Sequence, residues 1–364
     1  MKILYDYQIF FLQKYGGVST YFANLVKYLN NENVESNVYA PLYQCKIFQD
    51  LNLHEFIKGK KIEEIPRYST KLIKIFNEFF FEIYSKKNKP DIIHNTYFEK
   101  KISFNKIKKI ITVYDCTHEK FYNIVNHKKK AIETADHVIC ISKNTQKDLL
   151  EIYGIKENKT SVVYLGSSFS KSVNNINNIN LINTEKDSYL LFVGNRFKYK
   201  NFINFIKSIS LSKILKNNIY IICFGIYPFT KYEEDFFAKE NLDVKKIRFI
   251  YGDNNTLQYL YNNAMMLVYP SLHEGFGLPI LEAMSSGCPV VCSIGSSFNE
   301  VGGEAVQYFD PENVYDIKST IEKVFSSKII RNEMIAKGLK QSVKFTWEYC
   351  ANQTLNVYKK VLEH

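Results

Sequence analysis

Two successive series of short apolar runs, separated by stretches with helical periodicity, constrain the fold of this chain most strongly. The runs are rich in β-branched and aromatic residues, as expected of buried strands. The predicted strands occupy residues 2–5, 36–40, 91–95, 109–114, 136–141 and 161–164 in the first series, and 189–194, 219–225, 247–251, 265–269 and 290–293 in the second. Strands that alternate with helices pair in parallel. The pattern therefore predicts two doubly wound α/β domains with ligands at the carboxyl ends of their strands, in the crevice between the domains.

The boundary between the two predicted domains falls in a Ser-, Asn- and Lys-rich stretch without periodicity, residues 166–187, which we interpret as a linker. Residues 1–165 then form the first domain and residues 188–344 the second. From about residue 313 the chain is helical, and residues 345–361 are predicted to form a C-terminal helix that packs on the first domain. Residues 362–364 look like the start of an expression tag and are left out of the fold prediction.

Composition is that of a globular protein of 364 residues, 46% of them hydrophobic and 23% charged. There is no run of about 18 apolar residues and no signal-peptide pattern at the start. The seven cysteines include no Cys-x-x-Cys pair and are typical of a reducing cytosol, so we expect a cytoplasmic protein. The net charge of +11 favours an anionic partner, either phospholipid, nucleic acid or a phosphorylated substrate. No nucleic-acid recognition motif is present, and we expect no nucleic-acid partner.

Several common motifs are missing from the sequence. No GxGxxG follows a predicted strand, and there is neither a GxxxxGK[ST] loop nor an HExxH or Asp-x-Asp metal motif. This argues against a dinucleotide oxidoreductase and a P-loop enzyme. We accordingly expect no cofactor and no metal.

The stretch PSLHEGFGLPILEAMSSGCPVV, residues 270–291, places Glu274 and Glu282 on either side of a glycine-rich turn. Because Pro279 suits the first turn of a helix, the turn is predicted to join a strand to a helix that begins at Pro279, with Glu282 in its first turn. Free N–H groups at such a turn bind anions, and a carboxylate there suits a ribose diol. The predicted ligand-binding residues of the turn are Glu274, Gly275, Phe276, Gly277 and Leu278. The alternative is that Glu282 only caps the helix and Glu274 is solvated.

A second candidate anion site lies in FVGNRFKYKNF, residues 192–202. Gly194 ends a predicted strand, and Arg196 and Lys200 follow on the loop and the helix start. Two cations four residues apart at the end of a strand can clamp a diphosphate and neutralise a departing nucleotide. A solvated basic loop is the alternative.

These motifs resemble the E-x7-E signature and the phosphate-binding loop of GT4 glycosyltransferases (glycosyl transferases group 1). The resemblance extends over nearly the whole chain and includes YDYQIFFLQKYGGVSTYF, TVYDCTHEKF and ADHVICISKNTQKDLL in the first half. It implies the GT-B fold, in which two Rossmann-like doubly wound parallel-sheet domains face a central crevice. The first would be the acceptor-side domain and the second the nucleotide-sugar donor-binding domain.

The resemblance also implies roles for the residues that match. Arg196 and Lys200 would hold the donor pyrophosphate in place of a metal, with Glu274 on the donor sugar and Glu282 on the ribose. The reaction would retain the anomeric configuration by front-face attack. In the family, Gly252 and Asp253 lie at the loop that faces the nucleobase.

In the first domain, Gly16 and Gly17 precede a predicted helix at the turn that the family uses near the donor phosphates. Asp115 and His118 follow a predicted strand and are candidate catalytic residues, with a turn-forming role as the alternative for Asp115. The family has a histidine at the end of this strand, and Tyr114 takes its place here. Whether His118 replaces it stays open.

The expected partners are a nucleotide-sugar donor and a glycan or lipid-linked acceptor, as in surface-polysaccharide synthesis. Residues 66–89 combine aromatics with lysines at both ends, which fits either a helix on the inner face of an anionic membrane or a core-facing helix with a solvated lysine face. Lys128, Lys129 and Lys130 are interpreted as a solvated run. A binding protein for nucleotide sugar or glycan without turnover, a GT-B-like epimerase and a phosphorylase are the alternative functions.

Overall fold

The computed structural model describes residues 1–66, 68–98, 107–122, 124, 126–171, 189–216 and 218–363. It divides into two compact units. Unit 1 comprises Met1–Gly166 and Trp347–His364, and unit 2 comprises Ser167–Thr346. Most of the predicted linker, residues 172–187, lies outside the described residues.

The described part of unit 1 contains a seven-stranded parallel sheet in the order β3-β2-β1-β4-β5-β6-β7. Its strands are β1 Lys2–Tyr5, β2 Glu35–Tyr43, β3 Ile57–Lys61, β4 Ile92–Asn95, β5 Lys108–Val113, β6 His137–Cys140 and β7 Thr160–Val162. Its helices are α1 Gln8–Leu12, α2 Gly17–Asn31, α3 Ile47–Asp50, α4 Thr70–Asn88, α5 Thr117–Tyr122, α6 Asn126–Thr134, α7 Lys143–Tyr153 and α15 Trp347–Glu363.

The described part of unit 2 contains a six-stranded parallel sheet in the order β10-β9-β8-β11-β12-β13. Its strands are β8 Tyr189–Val193, β9 Tyr220–Phe224, β10 Ile247–Ile250, β11 Met266–Tyr269, β12 Val290–Ser293 and β13 Gln307–Phe309. Its helices are α8 Phe202–Ser210, α9 Lys231–Lys239, α10 Asn254–Asn263, α11 Leu278–Ser285, α12 Phe298–Gly302, α13 Val314–Ser326 and α14 Lys328–Ser342. The two parallel sheets with interleaved helices confirm the predicted fold class.

Each sheet has a point where the order of the strands reverses. In unit 1 the chain passes from β1 outward to β3 and then returns to place β4 on the other side of β1. In unit 2 it passes from β8 to β10 and returns to place β11 beside β8. The loops that leave such a neighbouring pair diverge, and the gap between them is where doubly wound sheets bind ligands.

A buried polar network fixes the C-terminal helix α15 to unit 1. The His94 ring on β4 contacts the Tyr358 hydroxyl through Nδ1 at 2.6 Å and the Thr112 hydroxyl through Nε2 at 2.9 Å. The Tyr358 hydroxyl also lies 3.2 Å from that of Tyr5, and α15 packs along α2. Burial lowers the pKa of His94 to about 3, so the ring is neutral and can donate through one nitrogen while it accepts through the other.

None of the described helices combines the length and the apolar composition that a membrane span requires.

Candidate functional site

Lys200 and Glu274 meet at the reversal point of unit 2. Lys200 follows β8 and Glu274 follows β11, and these strands are neighbours in the sheet. The Lys200 Nζ lies 2.5 Å from Glu274 Oε1 and 3.3 Å from the hydroxyl of Tyr269. Both charged side chains are largely buried, at 12% and 17% exposed. The pair therefore places a positive charge and a hydrogen-bond acceptor together where a sheet of this type binds its ligand.

The backbone around Glu274 is fastened to the loop that follows β12. Ser296 Oγ accepts from the Glu274 N–H at 3.0 Å and donates to its carbonyl at 2.8 Å, and Ser297 Oγ donates to the same carbonyl at 2.9 Å. At the end of the turn Gly277 has φ +99°, a conformation that L-residues rarely adopt. The position of Glu274 is thus set by the turn and by two serines.

The other turn residues are placed differently from one another. Phe276 is buried and its ring packs against Phe345 at 5.9 Å, so it serves the core of unit 2. Gly275 is buried, whereas Leu278 is partly exposed and begins α11. The helix thus begins one residue earlier than predicted. Glu282 lies in its second turn, which corrects the prediction of the first turn.

Glu282 is held by a neighbouring helix. Its Oε2 accepts from the hydroxyl of Tyr261 on α10 at 3.0 Å. Desolvation raises the pKa of Glu282 to about 7, although the hydrogen bond from Tyr261 opposes the shift. The carboxyl is therefore poised between its two protonation states near neutral pH. The alternative prediction that it only caps the helix is wrong.

Arg196 occupies a separate place from Lys200. Its Nε donates to Glu233 Oε1 at 2.6 Å, and its Nη2 donates to the carbonyls of Tyr227 and Pro228 at 3.0 and 2.7 Å. The guanidinium also stacks over Phe229 at 4.8 Å. Burial opposes ionisation of Glu233, but the hydrogen bonds from Arg196 hold its pKa below the usual value. In this structure Arg196 braces the loop after β9, and a phosphate-binding role for it stays a prediction.

Two further predicted residues follow β10. Asp253 caps α10 by accepting from the N–H of Thr256 at 2.8 Å and from its hydroxyl at 2.9 Å. A Cβ on Gly252 would lie 2.6 Å from the Thr256 side chain, so the glycine permits this cap. At the end of β8, Gly194 has φ +120°, a conformation that L side chains rarely adopt, and it lies against the Lys200 side chain. Backbone conformation and helix capping thus account for Gly194, Gly252 and Asp253 within unit 2. Contact of these residues with a donor stays a prediction.

Asp115 forms the turn that starts α5 in unit 1. Its Oδ1 accepts from the Thr117 N–H at 2.9 Å, which is the alternative that we gave for it. His118 is exposed on α5, and its ring lies 5.8 Å from that of Tyr122. Lys128 is buried, contacts the Asp115 carbonyl at 2.5 Å and lies 3.2 Å from Glu119 Oε2. The interpretation of Lys128 as solvated is therefore wrong.

Gly16 and Gly17 form the N-terminus of α2. The carbonyl of Gly16 accepts from the hydroxyls of Ser19 and Thr20 at 2.9 and 3.0 Å. Gly17 is exposed at the first turn of the helix. The described geometry is that of a helix start, and donor contacts there stay a prediction.

Asp6 is a buried carboxylate at the reversal point of unit 1, and the sequence analysis missed it. It follows β1 and accepts from the Gln8 side chain at 2.6 Å and from the Thr96 N–H, which follows β4, at 3.1 Å. Burial raises the pKa of Asp6 to about 6. A carboxylate directly after a buried strand is the signal that would have found it. Nearby, the end of β5 carries the buried hydroxyl of Tyr114, which has no hydrogen-bond partner within the described residues.

Among the described residues, no three His, Cys, Asp or Glu side chains come together in a way that could hold a metal ion.

Family models match both halves of the chain. The model described as Glycosyltransferase Family 4 matches residues 15–168, and the one described as Glycosyl transferases group 1 matches residues 174–341. The chain belongs to the GT4-type glycosyltransferases.

The curated relatives that the chain matches are also glycosyltransferases. The chain is 47% identical over 114 residues to O-antigen chain mannosyltransferase B of Escherichia coli, a match that covers 31% of this chain and 30% of the relative. It is 30% identical over 200 residues to the O-antigen chain mannosyltransferase RfbU of Salmonella typhimurium, over 54% and 53% of the two chains. A glycosyltransferase of Methanocaldococcus jannaschii is 24% identical over 361 residues, 95% of each chain. The chain thus spans only about a third to a half of the length of these two mannosyltransferases.

Solved structures share the fold over almost the whole chain. Sucrose-phosphate synthase from Thermosynechococcus elongatus aligns with a TM-score of 0.77 at 16% identity, over 99% of this chain and 98% of that one. HepE from Anabaena, solved with UDP and glucose, aligns with a TM-score of 0.75 at 15% identity, over 99% of each chain. At this identity the likeness establishes the GT-B fold alone.

Proposed function

We propose that this protein transfers a mannosyl residue from a nucleotide-diphospho-sugar to a glycan or lipid-linked acceptor in the synthesis of a surface polysaccharide such as O-antigen. The observation that carries the proposal is the contact between Lys200 and Glu274 at the reversal point of unit 2, within the segment matched by the glycosyltransferase model. The choice of mannose rests on the two O-antigen mannosyltransferases that the chain resembles. We place the reaction in the cytoplasm, at the inner face of the membrane.

The pair supplies what donor cleavage needs. The Lys200 ammonium would lie against the donor diphosphate and stabilise the negative charge that grows as the bond from C1 to the phosphate oxygen breaks. The Glu274 carboxylate would accept hydrogen bonds from sugar hydroxyls and orient the ring. Because the Lys200 ammonium would stabilise the charge on the departing diphosphate, we propose that no metal is required.

Retention of configuration is the expected stereochemical outcome. The acceptor oxygen would bond to C1 on the face that the phosphate leaves, and its proton would pass to the departing phosphate oxygen. This route requires no pair of carboxylates acting as nucleophile and acid, unlike retaining glycosidases.

The first test measures transfer of labelled mannose from its UDP, GDP and ADP derivatives to a short mannose-containing glycan, with and without a chelator. We expect one donor to be used, the chelator to have no effect, and NMR to show a retained anomer. Lys200→Gln should weaken binding of the matching nucleoside diphosphate roughly tenfold to a hundredfold, since a charge-assisted contact is lost. Lys198→Gln is the matched control, because Lys198 lies exposed on the same turn.

Three results would refute parts of this proposal. Nucleotide binding without transfer to any acceptor would favour a binding protein. Product formed without an acceptor would favour an epimerase. An equal loss in both lysine variants would remove Lys200 from the donor site.

A further inference from the structure

Helix α4 presents a continuous apolar face to solvent. Each of its exposed large side chains has another of the set three or four residues away along the helix: Leu72, Ile75, Phe76, Phe79, Phe80 and Ile83. Such spacing puts them on one face over about 16 Å of helix. Leu72 is 71% exposed and Phe79 57%. The rings on this face contact one another, with the centroids of Phe76 and Phe80 4.4 Å apart. We call these six residues the α4 face.

The opposite side of the helix is fixed to the sheet, so the α4 face cannot rotate inward. The side-chain amide of Asn77 accepts from the Leu42 N–H at 2.8 Å and donates to its carbonyl at 2.9 Å. Phe81 is fully buried, and the Tyr84 ring stacks on that of Tyr39 at 3.9 Å. The core-facing alternative thus holds for this side of α4, where Asn77 and Phe81 are buried, but the outer side carries six exposed apolar side chains in addition to lysines.

Lysines lie at the ends of the α4 face and beside it. On the helix, Lys71 precedes the face and Lys86 and Lys87 follow it, whereas Lys74 falls on the opposite side at about 100° per residue. The helix also carries two acids, Glu78 and Glu82. Lys86 pairs with Glu82 at 2.6 Å. On the edge strand β3, Lys58 and Lys60 are exposed, and the Lys58 ammonium lies 5.9 Å from the centre of the Tyr84 ring, which places this strand beside the helix. The apolar face therefore lies within a basic surface.

We propose that the α4 face docks on the surface of a bilayer that contains anionic phospholipid, with the helix parallel to the membrane and its aromatic rings at the interface. Apolar side chains flanked by lysines are the composition that such surface-bound helices require. A second copy of the chain is the less suitable occupant. A two-fold contact through this face would bring the same lysines together, and like charges across an interface are unfavourable.

This inference deepens the proposed function, because a lipid-linked acceptor lies in a membrane. It can nevertheless be tested separately, since vesicle binding needs neither nucleotide nor acceptor. The experiment measures co-sedimentation of the full chain with vesicles of phosphatidylglycerol and phosphatidylethanolamine, and with vesicles of phosphatidylcholine alone. We expect binding to the first to be at least about tenfold stronger and to weaken as salt is raised.

Two variants separate the apolar from the electrostatic contribution. Leu72→Ser with Phe79→Ser should weaken vesicle binding by about tenfold or more, because two inserted side chains are lost. Its control is Ile329→Ser with Val343→Ser, which changes two apolar residues of unit 2 that are at least as exposed. Lys71→Gln with Lys87→Gln should also weaken binding by about tenfold or more, with Lys328→Gln and Lys337→Gln as the control of equal net charge.

Loss of binding in both α4 variants, with both controls unchanged, would support the inference. No binding by the wild-type chain, equal binding to phosphatidylcholine vesicles, or an equal loss in the controls would overturn it. Sedimentation velocity tests whether a second copy of the chain occupies the α4 face instead. A wild-type dimer that Leu72→Ser with Phe79→Ser converts to a monomer would assign the face to a second copy. Donor binding by all four variants should match the wild type, and a lack of donor binding in the wild type would count against the proposed activity alone.

Discussion

At the scale of single residues, Glu282 makes ligand binding depend on pH. Its pKa of about 7 means that the carboxyl is only half ionised at neutral pH. If ribose hydroxyls donate to it, the ionised form binds and a proton is released, so affinity rises as pH rises through 7. We expect the affinity for the nucleoside diphosphate to increase by about tenfold between pH 6 and pH 8. Isothermal titration calorimetry in buffers of different ionisation enthalpy measures both the affinity and the released proton.

Glu282→Gln is the control, since the terminal phosphate of the ligand also titrates near pH 6. The difference between the two pH profiles isolates the carboxyl, and identical profiles would show that Glu282 does not contact the ligand. Stability should move in the opposite direction. The pKa of Glu282 is raised from 4.5 in the unfolded chain, so the native state binds more protons between pH 4.5 and about 7 and loses stability as pH rises across this window. Glu282→Gln should therefore melt at a higher temperature than the wild type at pH 8.

The types of residue at the unit 2 site could be predicted from sequence, but the contacts between them could not. Strand ends and a glycine turn were enough to select Lys200 and Glu274. Arg196 shows the limit, because its partner Glu233 is 37 positions away and only the fold brings the two together. Asp6 was missed because its segment was used only for the overall resemblance and no role was given to its carboxylate, and because its position at the reversal point depends on the order of the strands.

At the scale of elements, the buried hydroxyl of Tyr358 determines how well α15 is held. Tyr358→Phe leaves the His94 Nδ1 buried without its partner and removes the contact with Tyr5. An unsatisfied buried group costs about 1–3 kcal/mol, which corresponds to a fall of roughly 2–12 °C in the melting temperature of unit 1 by calorimetry. Tyr315→Phe removes a hydroxyl from a tyrosine that is 69% exposed and should leave the melting unchanged. If the two variants melt alike, the network contributes no stability.

Strands and helices were predicted correctly where the hydrophobic pattern of the sequence matches the burial of the element in the fold. Eleven strands were found, but β3 and β13 were missed. The sequence of β3, IKGKK, lacks the β-branched alternation of a half-buried strand, and β13, QYF, has only three residues. Strand β3 forms at the edge, where pairing with β2 compensates for weak propensity. Helix α4 was found, yet its hydrophobic residues occur on both sides. Periodicity therefore identified a helix without showing which side faces the sheet.

At the scale of the whole molecule, unit 1 is built from two distant stretches of chain, whereas unit 2 is continuous. The alternation of strands and helices was sufficient to predict two α/β domains, since each series can form its own parallel sheet. The side chains of α15 that complete unit 1 are buried: Trp347, Cys350, Ala351, Thr354, Leu355, Val357, Tyr358 and Val361. Without them the facing side of α2 and the His94 ring would lose their cover. We therefore expect unit 1, but not unit 2, to depend on residues far along the chain.

A chain that ends at Thr346 tests this dependence. Hydrogen exchange should show loss of protection in α2, β4 and β5 of unit 1, because water reaches the groups that α15 covers. The amides of β8 and β11 in unit 2 should keep the protection they have in the full chain, and they serve as the internal control. A synthetic peptide of residues 347–363 should restore protection in α2 as its concentration rises, since binding to the folded form shifts the equilibrium by mass action. Protection of α2 that survives the truncation would mean that the first 166 residues fold without α15, and equal losses in β8 would mean that the two units do not unfold independently.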